Sequence, residues 1–215
     1  ARALRPRVVV LGDSITEWAY VAEDGKHAGW AAQLAQHFGR KADVLVRGYS
    51  GYNTRMALGV LPMILREFAA PDFAKLLLAV IMFGANDAAG HGSEQHVPLG
   101  EYKRNLREIV RQFLEQGCGS VLLLGPTPVQ QSALWPDRSN RAVRLYSDAA
   151  RRTAANVDAR VRFVDTFTPM LPTWPALSSD GLHLSPQGND RLWQLVEGAL
   201  PPRLRALPRD LPLGE

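Results

Sequence analysis

Short apolar runs alternate along the chain with longer segments in which apolar residues recur every three or four positions. The short runs suit buried strands and the longer segments suit helices; the runs lie at residues 8–11, 43–46, 76–83, 121–124 and 161–164. Strands joined by helices cross over right-handed, so the alternation predicts an α/β fold with a five-stranded parallel sheet covered on both faces. The longest run, at 76–83, predicts a central strand.

Helical periodicity is clearest in the second half of the chain. Apolar residues recur at helical spacing between the third and fourth predicted strands, where Gly117 supplies a stop, and again between the fourth and fifth. A last helix is predicted to open at Ser185-Pro186 and to end before Pro201. No internal repeat or linker interrupts the pattern. We therefore predict one domain over residues 1–215, with a core at about 7–200 and a Pro-, Leu- and Arg-rich tail at 201–215.

Composition excludes several classes of protein. The 215 residues are 46% hydrophobic, which is ample for a core. The net charge is only +4, and acidic residues are interspersed among the basic ones, so no nucleic-acid surface is predicted. The single cysteine, Cys118, excludes an intrachain disulfide and is interpreted as an inert side chain. No apolar run approaches the ~20 residues that span a bilayer. The compartment is left undetermined: the lone cysteine and the absence of a signal-peptide pattern favour the cytoplasm, while a chain that begins with Ala1 leaves room for a removed segment.

Polar and glycine residues follow the first three predicted strands, and ligands bind beyond the carboxyl ends of parallel strands. Ser14 comes just after the first strand, where a nucleophile belongs, although a turn with Ser14 as a helix cap is the alternative. Gly51 lies in the loop after the second strand and lets a backbone N–H approach a ligand, or simply makes a turn. Asn86 follows the third strand and offers an amide donor, or an Asx-turn. None of these signals decides alone.

Asp180 and His183 lie three residues apart, just before the last predicted helix. A carboxylate bonded to one imidazole nitrogen fixes the tautomer and leaves the other nitrogen as a base. Asp24 and His27 have the same D-G-x-H spacing, but charged neighbours flank them and no capped helix follows, so we expect no catalytic role there. The histidines other than His183 are interpreted as solvated or capping side chains: His27, His37, His91 and His96. A metal site from Asp180, His183 and His91 is not predicted, because no metal-ligand spacing supports it.

The four signals, in this order, resemble the block pattern of the SGNH (GDSL) hydrolases. The segments similar to the isoamyl acetate-hydrolysing esterase branch of that superfamily are GDSITE, RGYSGYNTR, FGANDA, QHVPLGEYKRNL and LSSDGLHLSPQGN. The resemblance extends over about residues 7–200 and implies a flavodoxin-like, three-layer α/β/α sandwich. Two features depart from the branch: Val46 replaces a usual asparagine, which bears on hydrogen bonding behind the oxyanion loop, and the 127–140 loop is short, which bears on the alcohol-side pocket.

Residue by residue, the resemblance implies that Ser14 is the nucleophile, His183 the general acid and base, and Asp180 its orienting carboxylate. The implied oxyanion hole consists of the backbone N–H groups of Ser14 and Gly51 and the side-chain amide of Asn86. No cofactor or metal is implied.

Four further side chains near this implied site receive interpretations of their own. Trp18 and Tyr52 are candidates for the wall of the substrate pocket, with ordinary packing as the alternative. Asp13 and Asp87 are interpreted as structural carboxylates that bond their own loops.

The resemblance implies a serine carboxylester hydrolase for small esters, with acetates of short- to medium-chain alcohols as substrates. A carbohydrate or lipid deacylase, or a thioesterase, is an alternative with the same chemistry. A flavodoxin-like FMN electron carrier shares the strand–helix alternation, but the carboxylate of Asp13 stands where a phosphate would bind. A non-catalytic binding module on the same scaffold is the third alternative. The expected partner is a small-molecule ester, and self-association is left open.

Overall fold

Five parallel strands form the sheet of the computed structural model, which describes residues 5–68, 75–130, 132 and 134–207. Their order across the sheet is β2-β1-β3-β4-β5. The strands are β1 (Arg7–Gly12), β2 (Asp43–Gly48), β3 (Leu76–Met82), β4 (Val121–Leu124) and β5 (Val161–Val164). The predicted five-stranded parallel sheet is therefore confirmed. The sequence pattern misses only strand ends: β1 and β2 run further than predicted and β3 ends at Met82 rather than Phe83.

Helices connect the strands and cover both faces. They are α1 (Ser14–Glu17), α2 (Trp30–His37), α3 (Thr54–Arg66), α4 (Leu99–Glu115), α5 (Asn140–Val157), α6 (Phe167–Met170), α7 (Trp174–Leu177), α8 (Pro186–Ala199) and α9 (Pro202–Arg205). The prediction for α8 is confirmed, since the Ser185 hydroxyl caps it by accepting from the Gly188 N–H. The predicted Pro-, Leu- and Arg-rich segment from residue 201 begins with α9, which buries Leu204. Residues 208–215 lie outside the described part of the chain.

The order of the strands explains the three layers. The connections that contain α3, α4 and α5 all run toward β5, so right-handed crossovers place these helices on one face, where they pack side by side. The connection from β1 to β2 runs the other way and places α2 on the opposite face, against α8. The side chain of Asn189 on α8 accepts a hydrogen bond of 3.0 Å from the Trp30 N–H at the start of α2. Residues of β3 and β4 are buried between the two layers.

Close packing at the carboxyl ends of β1 and β2 positions the short helix α1. Gly12 and Gly48 are paired at the ends of these strands. A Cβ atom on Gly48 would lie 2.0 Å from the backbone nitrogen of Glu17, so only glycine lets α1 rest directly on the end of β2. The first residue of α1, Ser14, is therefore fixed at this edge of the sheet.

Candidate active site

Ser14, His183 and Asp180 meet at the carboxyl edge of the sheet, although 169 residues separate the serine from the histidine. The Ser14 Oγ lies 2.9 Å from His183 Nε2, and His183 Nδ1 lies 2.7 Å from Asp180 Oδ2. The helix cap of α1 is Asp13 rather than Ser14, because the Asp13 carboxylate accepts the Ile15 N–H at 3.0 Å. The alternative interpretation of Ser14 as a cap is therefore wrong, and its hydroxyl is left to hydrogen-bond with the imidazole.

The turn that carries Asp180 holds its carboxylate by several donors. Asp180 Oδ1 accepts the backbone N–H groups of Leu182 and His183, each at 2.8 Å. Burial raises the pKa of Asp180, but these two bonds and the bond from the His183 ring together outweigh burial and hold the pKa below its ordinary value of 3.8. Asp180 is thus an anion at neutral pH, and it faces the imidazole nitrogen that lies away from Ser14.

Asp24 and His27 form the same local turn. Asp24 Oδ1 accepts the N–H groups of Lys26 and His27 at 3.0 Å, and its second oxygen contacts the His27 ring. The two turns differ in their surroundings: the side chain of His27 is 66% exposed, whereas that of His183 is 13% exposed. The D-G-x-H spacing therefore specifies a turn, and the rest of the fold decides what faces the ring. The expectation that His27 is solvated is confirmed.

Two indole rings flank the imidazole of His183. Trp18 stacks on it, with ring centroids 4.8 Å apart and 28° between the planes, and Trp135 meets it edge-on at 5.7 Å. Trp18 is half exposed. The Trp135 Nε1–H also donates to the Asp180 carbonyl at 3.1 Å. Trp135 is not predictable from the sequence, since it lies in the irregular 127–140 loop, where neither periodicity nor a motif singles it out.

Asn86 and Gly51 occupy adjoining loops beside this edge. The Asn86 Nδ2 donates to the Tyr52 carbonyl at 2.9 Å, and Asn86 is 3% exposed. Gly51 adopts a φ of 79°, a left-handed conformation that favours glycine, and its carbonyl accepts from Gln95 Nε2 at 3.1 Å. The ring of Tyr52 stacks on Tyr49 at 5.0 Å, so its contact with Asn86 is through the backbone.

Two buried carboxylates lie behind these loops. Burial raises the pKa of Asp13 to about 7 and that of Asp87 to about 6. Asp13 bonds its own loop, as predicted. Asp87 is likewise structural, but its bonds reach beyond its own loop, because its Oδ1 also accepts from the N–H and the hydroxyl of Thr54 at the start of α3. Asp87 therefore ties the loop after β3 to the loop after β2, a long-range contact that no local pattern signals.

The other chemistry-bearing residues of the sequence analysis fall outside this site. His96 is half-buried, and its ring packs on that of His91 with centroids 4.4 Å apart. It also bonds the Ala89 carbonyl, so it is a packed residue rather than a solvated or capping one.

Cys118 is buried, and burial raises the pKa of its thiol to about 11, in keeping with an inert side chain. The described residues contain no cluster of three or more metal-binding side chains. None of the helices described is long and apolar enough to cross a membrane.

The sheet is parallel, and serine, glycine and asparagine follow its first three strands in turn. Histidine precedes the last long helix. This is the architecture of the SGNH class of hydrolases. The chain belongs to the GDSL-like lipase/acylhydrolase family, whose model matches residues 10–191.

Relatives and a solved structure agree with this membership. The human isoamyl acetate-hydrolyzing esterase 1 homolog is 36% identical over 212 residues, which cover 90% of this chain and 82% of the human protein. The isoamyl acetate-hydrolyzing esterase of Saccharomyces cerevisiae is 33% identical over 91% of this chain and 87% of its own. A catalytic mutant of an acetylxylan esterase from Geobacillus stearothermophilus has the same fold, with a TM-score of 0.71 at 21% identity over 92% of this chain and 94% of that one. The protein is therefore a carboxylic ester hydrolase, as the resemblance implies, rather than an electron carrier or a binding module.

Proposed function

We propose that this esterase hydrolyses acetate esters of short- to medium-chain alcohols through an acyl-enzyme formed on Ser14. The observation that carries the proposal is the unbroken hydrogen-bonded series from Asp180 through His183 to Ser14, with distances of 2.7 and 2.9 Å. A serine hydroxyl is a weak nucleophile at neutral pH, so a base within hydrogen-bonding distance is a chemical requirement. The names of the relatives, isoamyl acetate-hydrolyzing esterases, support the substrate class.

In the first half of the reaction, Ser14 Oγ attacks the ester carbonyl while His183 Nε2 accepts the hydroxyl proton. The Asp180 carboxylate stabilises the imidazolium and keeps its Nε2 toward the serine. When the tetrahedral intermediate collapses, the carbon–oxygen bond to the alcohol breaks and His183 protonates the leaving alkoxide. Water then attacks the acyl-enzyme in the same way, its proton passes to His183 and returns to Ser14 Oγ, and the carboxylic acid is released.

The proposed oxyanion hole uses the N–H groups of Ser14 and Gly51 and the Asn86 amide. A primary amide carries two N–H donors, and the Tyr52 carbonyl takes one of the two on Asn86 Nδ2. The second can donate to the oxygen of the tetrahedral intermediate. A donor of this kind contributes roughly 3 kcal/mol to the stability of the transition state, or 10²–10³ in rate.

The space beside Ser14 supports a small acyl group. A cavity of about 10 Å³, about the least that admits one water, is lined by Ser14, Ile15, Trp18, Glu23, His183, Leu184 and Asn189. An acetyl methyl group is close to a water in size, whereas a longer acyl chain requires a lining side chain such as Trp18 to move. The exposed apolar side chains of Trp18, Tyr20 and Val21 offer a surface for an apolar alcohol.

Deacetylation of a sugar is a second candidate. The indole of Trp18 is half exposed next to Ser14, and a flat indole face can also accept a sugar ring. The acetylxylan esterase of the same fold acts on such a substrate by its name.

Rates of hydrolysis test both candidates. Turnover is measured for p-nitrophenyl esters from acetate to palmitate, and then for isoamyl acetate against an O-acetylated xylose. The proposal expects a maximum at acetate and a preference for isoamyl acetate. A preference for the acetylated sugar favours the second candidate, and a maximum at long acyl chains refutes both.

Variants connect this activity to the proposed residues. Ser14→Ala and His183→Ala should each abolish most turnover, and a fluorophosphonate probe should label the wild-type protein but not Ser14→Ala. The matched control is His27→Ala, which alters the same local turn at a solvated position and should keep wild-type rates. Wild-type turnover by Ser14→Ala would refute the proposed mechanism.

A further inference from the structure

A buried guanidinium lies behind the proposed oxyanion hole. Arg138 comes from the 127–140 loop after β4, and only 2% of its side chain is exposed. Its Nη1 donates to the carbonyls of Ala85 and Asn86 at 2.9 and 3.2 Å. Its Nη2 donates to Asn86 Oδ1 at 3.3 Å and to Gln95 Oε1 at 2.5 Å. Burial of a cation destabilises the folded state unless hydrogen bonds and counter-charges compensate. Holding this group here therefore has a cost in folding free energy.

The contact between Arg138 and Asn86 fixes the orientation of the Asn86 amide. A guanidinium only donates hydrogen bonds and a backbone carbonyl only accepts them. Arg138 therefore selects the oxygen end of the amide, and the Tyr52 carbonyl selects the nitrogen end. A flipped amide would set its NH₂ against the guanidinium and its oxygen against the carbonyl. The nitrogen thus stays where its second hydrogen is available to substrate.

Gln95 connects Arg138 to the loop after β2. Because Gln95 Oε1 accepts from Arg138, the Gln95 Nε2 is directed to the other side, where it donates to the Gly51 carbonyl at 3.1 Å. Gly51 adopts its left-handed conformation without strain, so the bond from Gln95 fixes the position of this loop rather than relieving strain in it. One cation therefore contacts the Asn86 amide directly and reaches the Gly51 carbonyl through a single side chain.

We propose that Arg138 is a positioning residue that aligns two of the three oxyanion donors, the Asn86 amide directly and the Gly51 loop through Gln95. This inference rests on the proposed oxyanion hole, and Arg138 itself need not touch the substrate. Donors to the oxyanion act on the transition state far more than on the bound ester. Loss of alignment should therefore lower kcat and leave KM nearly unchanged.

The first test compares Arg138→Met with Arg191→Met. Arg191 is a matched control, since its Nη1 also donates to a glutamine oxygen, that of Gln194, but on the exposed face of α8. Arg138→Met should lower kcat for p-nitrophenyl acetate by about 10–100-fold with KM within about threefold. The inhibition constant of phenylboronic acid, which forms a tetrahedral adduct on serine, should rise by a similar factor. An unchanged kcat in folded Arg138→Met overturns the inference.

A double-mutant cycle with Asn86→Ala separates positioning from a general structural role. If Arg138 acts mainly through the amide, Arg138→Met should cost less than about threefold in the Asn86→Ala background. If the two substitutions instead lower kcat by factors that multiply, Arg138 does not act through the Asn86 amide. If hydrolysis survives Ser14→Ala, the proposed function fails and this inference fails with it. If Ser14→Ala is inactive and the effects multiply, the function stands and only the part of the Arg138 inference that acts through Asn86 falls.

Variants that keep the cation make the test independent of folding. Arg138→Lys retains the charge but not the fork of donors, and should also lower kcat. Gln95→Glu keeps an acceptor for Arg138 but replaces the donor to the Gly51 carbonyl with a second acceptor. It should lower kcat, whereas Gln194→Glu, the same change at the exposed pair, should not. Wild-type kcat in both Arg138→Lys and Gln95→Glu overturns the inference even if Arg138→Met does not fold.

Discussion

Replacement of Asp180 by asparagine changes one atom and should remove most of the activity. The asparagine oxygen can still accept the N–H groups of Leu182 and His183 at 2.8 Å, so the turn is retained. The atom 2.7 Å from His183 Nδ1 then becomes an NH₂ group, which only donates. The imidazole must accept this bond at Nδ1 and carry its proton on Nε2, where it faces Ser14 as a donor and cannot act as a base. A triad in the wrong tautomer loses about 10⁴ in kcat, equivalent to about 5 kcal/mol of barrier.

The assay is kcat/KM for p-nitrophenyl acetate at pH 7, with the melting temperature recorded on the same samples. Asp180→Asn should be folded and reduced by about 10⁴. Asp24→Asn introduces the same change into the exposed copy of the turn and should remain near wild type. If folded Asp180→Asn retained more than about a tenth of the wild-type kcat/KM, the carboxylate would not set the tautomer and the argument would fail.

Three further predictions follow from the same contacts. Asn86→Ala should lower kcat by about 10²–10³ with KM close to wild type, and a rise in KM alone would refute its role as an oxyanion donor. Trp18→Ala should raise the rate on p-nitrophenyl butyrate relative to acetate several-fold, because it opens the cavity of about 10 Å³ beside Ser14, whereas Tyr20→Ala should leave that ratio unchanged. Because burial raises the pKa of Asp13 from 3.8 to about 7, the folded state binds a proton that the unfolded state has released, and the free energy of unfolding should fall as pH rises across that window. Urea denaturation at pH 4.5 and 7.5 should show that Asp13→Asn removes up to about 3 kcal/mol of this fall, whereas Asp43→Asn, at an exposed position, should keep the wild-type dependence on pH.

The sheet was predictable because buried parallel strands leave a continuous apolar run in the sequence. The runs at β4 and β5 coincide with the strands in the structure, and the ends of the other strands differ by one or two residues. The Ser14, Gly51 and Asn86 loops were predictable for a related reason, since each directly follows a strand. The helix α9 was missed because a proline precedes it, a second proline begins it, and its only buried residue is Leu204.

The supporting residues of the site were not predictable in this way. Trp135, Arg138 and Gln95 lie in irregular segments, and their contacts are with residues 43 to 53 positions distant along the chain, such as Asp180, Asn86 and Gly51. Nothing in a local window distinguishes Arg138 from the exposed arginines. The Asp24 and Asp180 turns share the D-G-x-H spacing and the same hydrogen bonds; their flanking residues distinguish them in the sequence, but the contact of one ring with a serine arises only in the tertiary structure.

Three of the four blocks of the family pattern join a residue of the proposed chemistry to a carboxylate that fixes backbone, either around it or in an adjoining loop. Asp13 caps α1 and so frees the Ser14 hydroxyl for His183. Asp87 binds Thr54 at the start of α3 and so anchors the loop that contains Gly51. Asp180 does both, since one oxygen holds its own turn and the other orients the imidazole. The blocks are therefore contiguous for a physical reason: a reactive group on a loop is positioned only as well as its neighbouring backbone, and a carboxylate beside it supplies the nearest acceptor for that backbone's N–H groups.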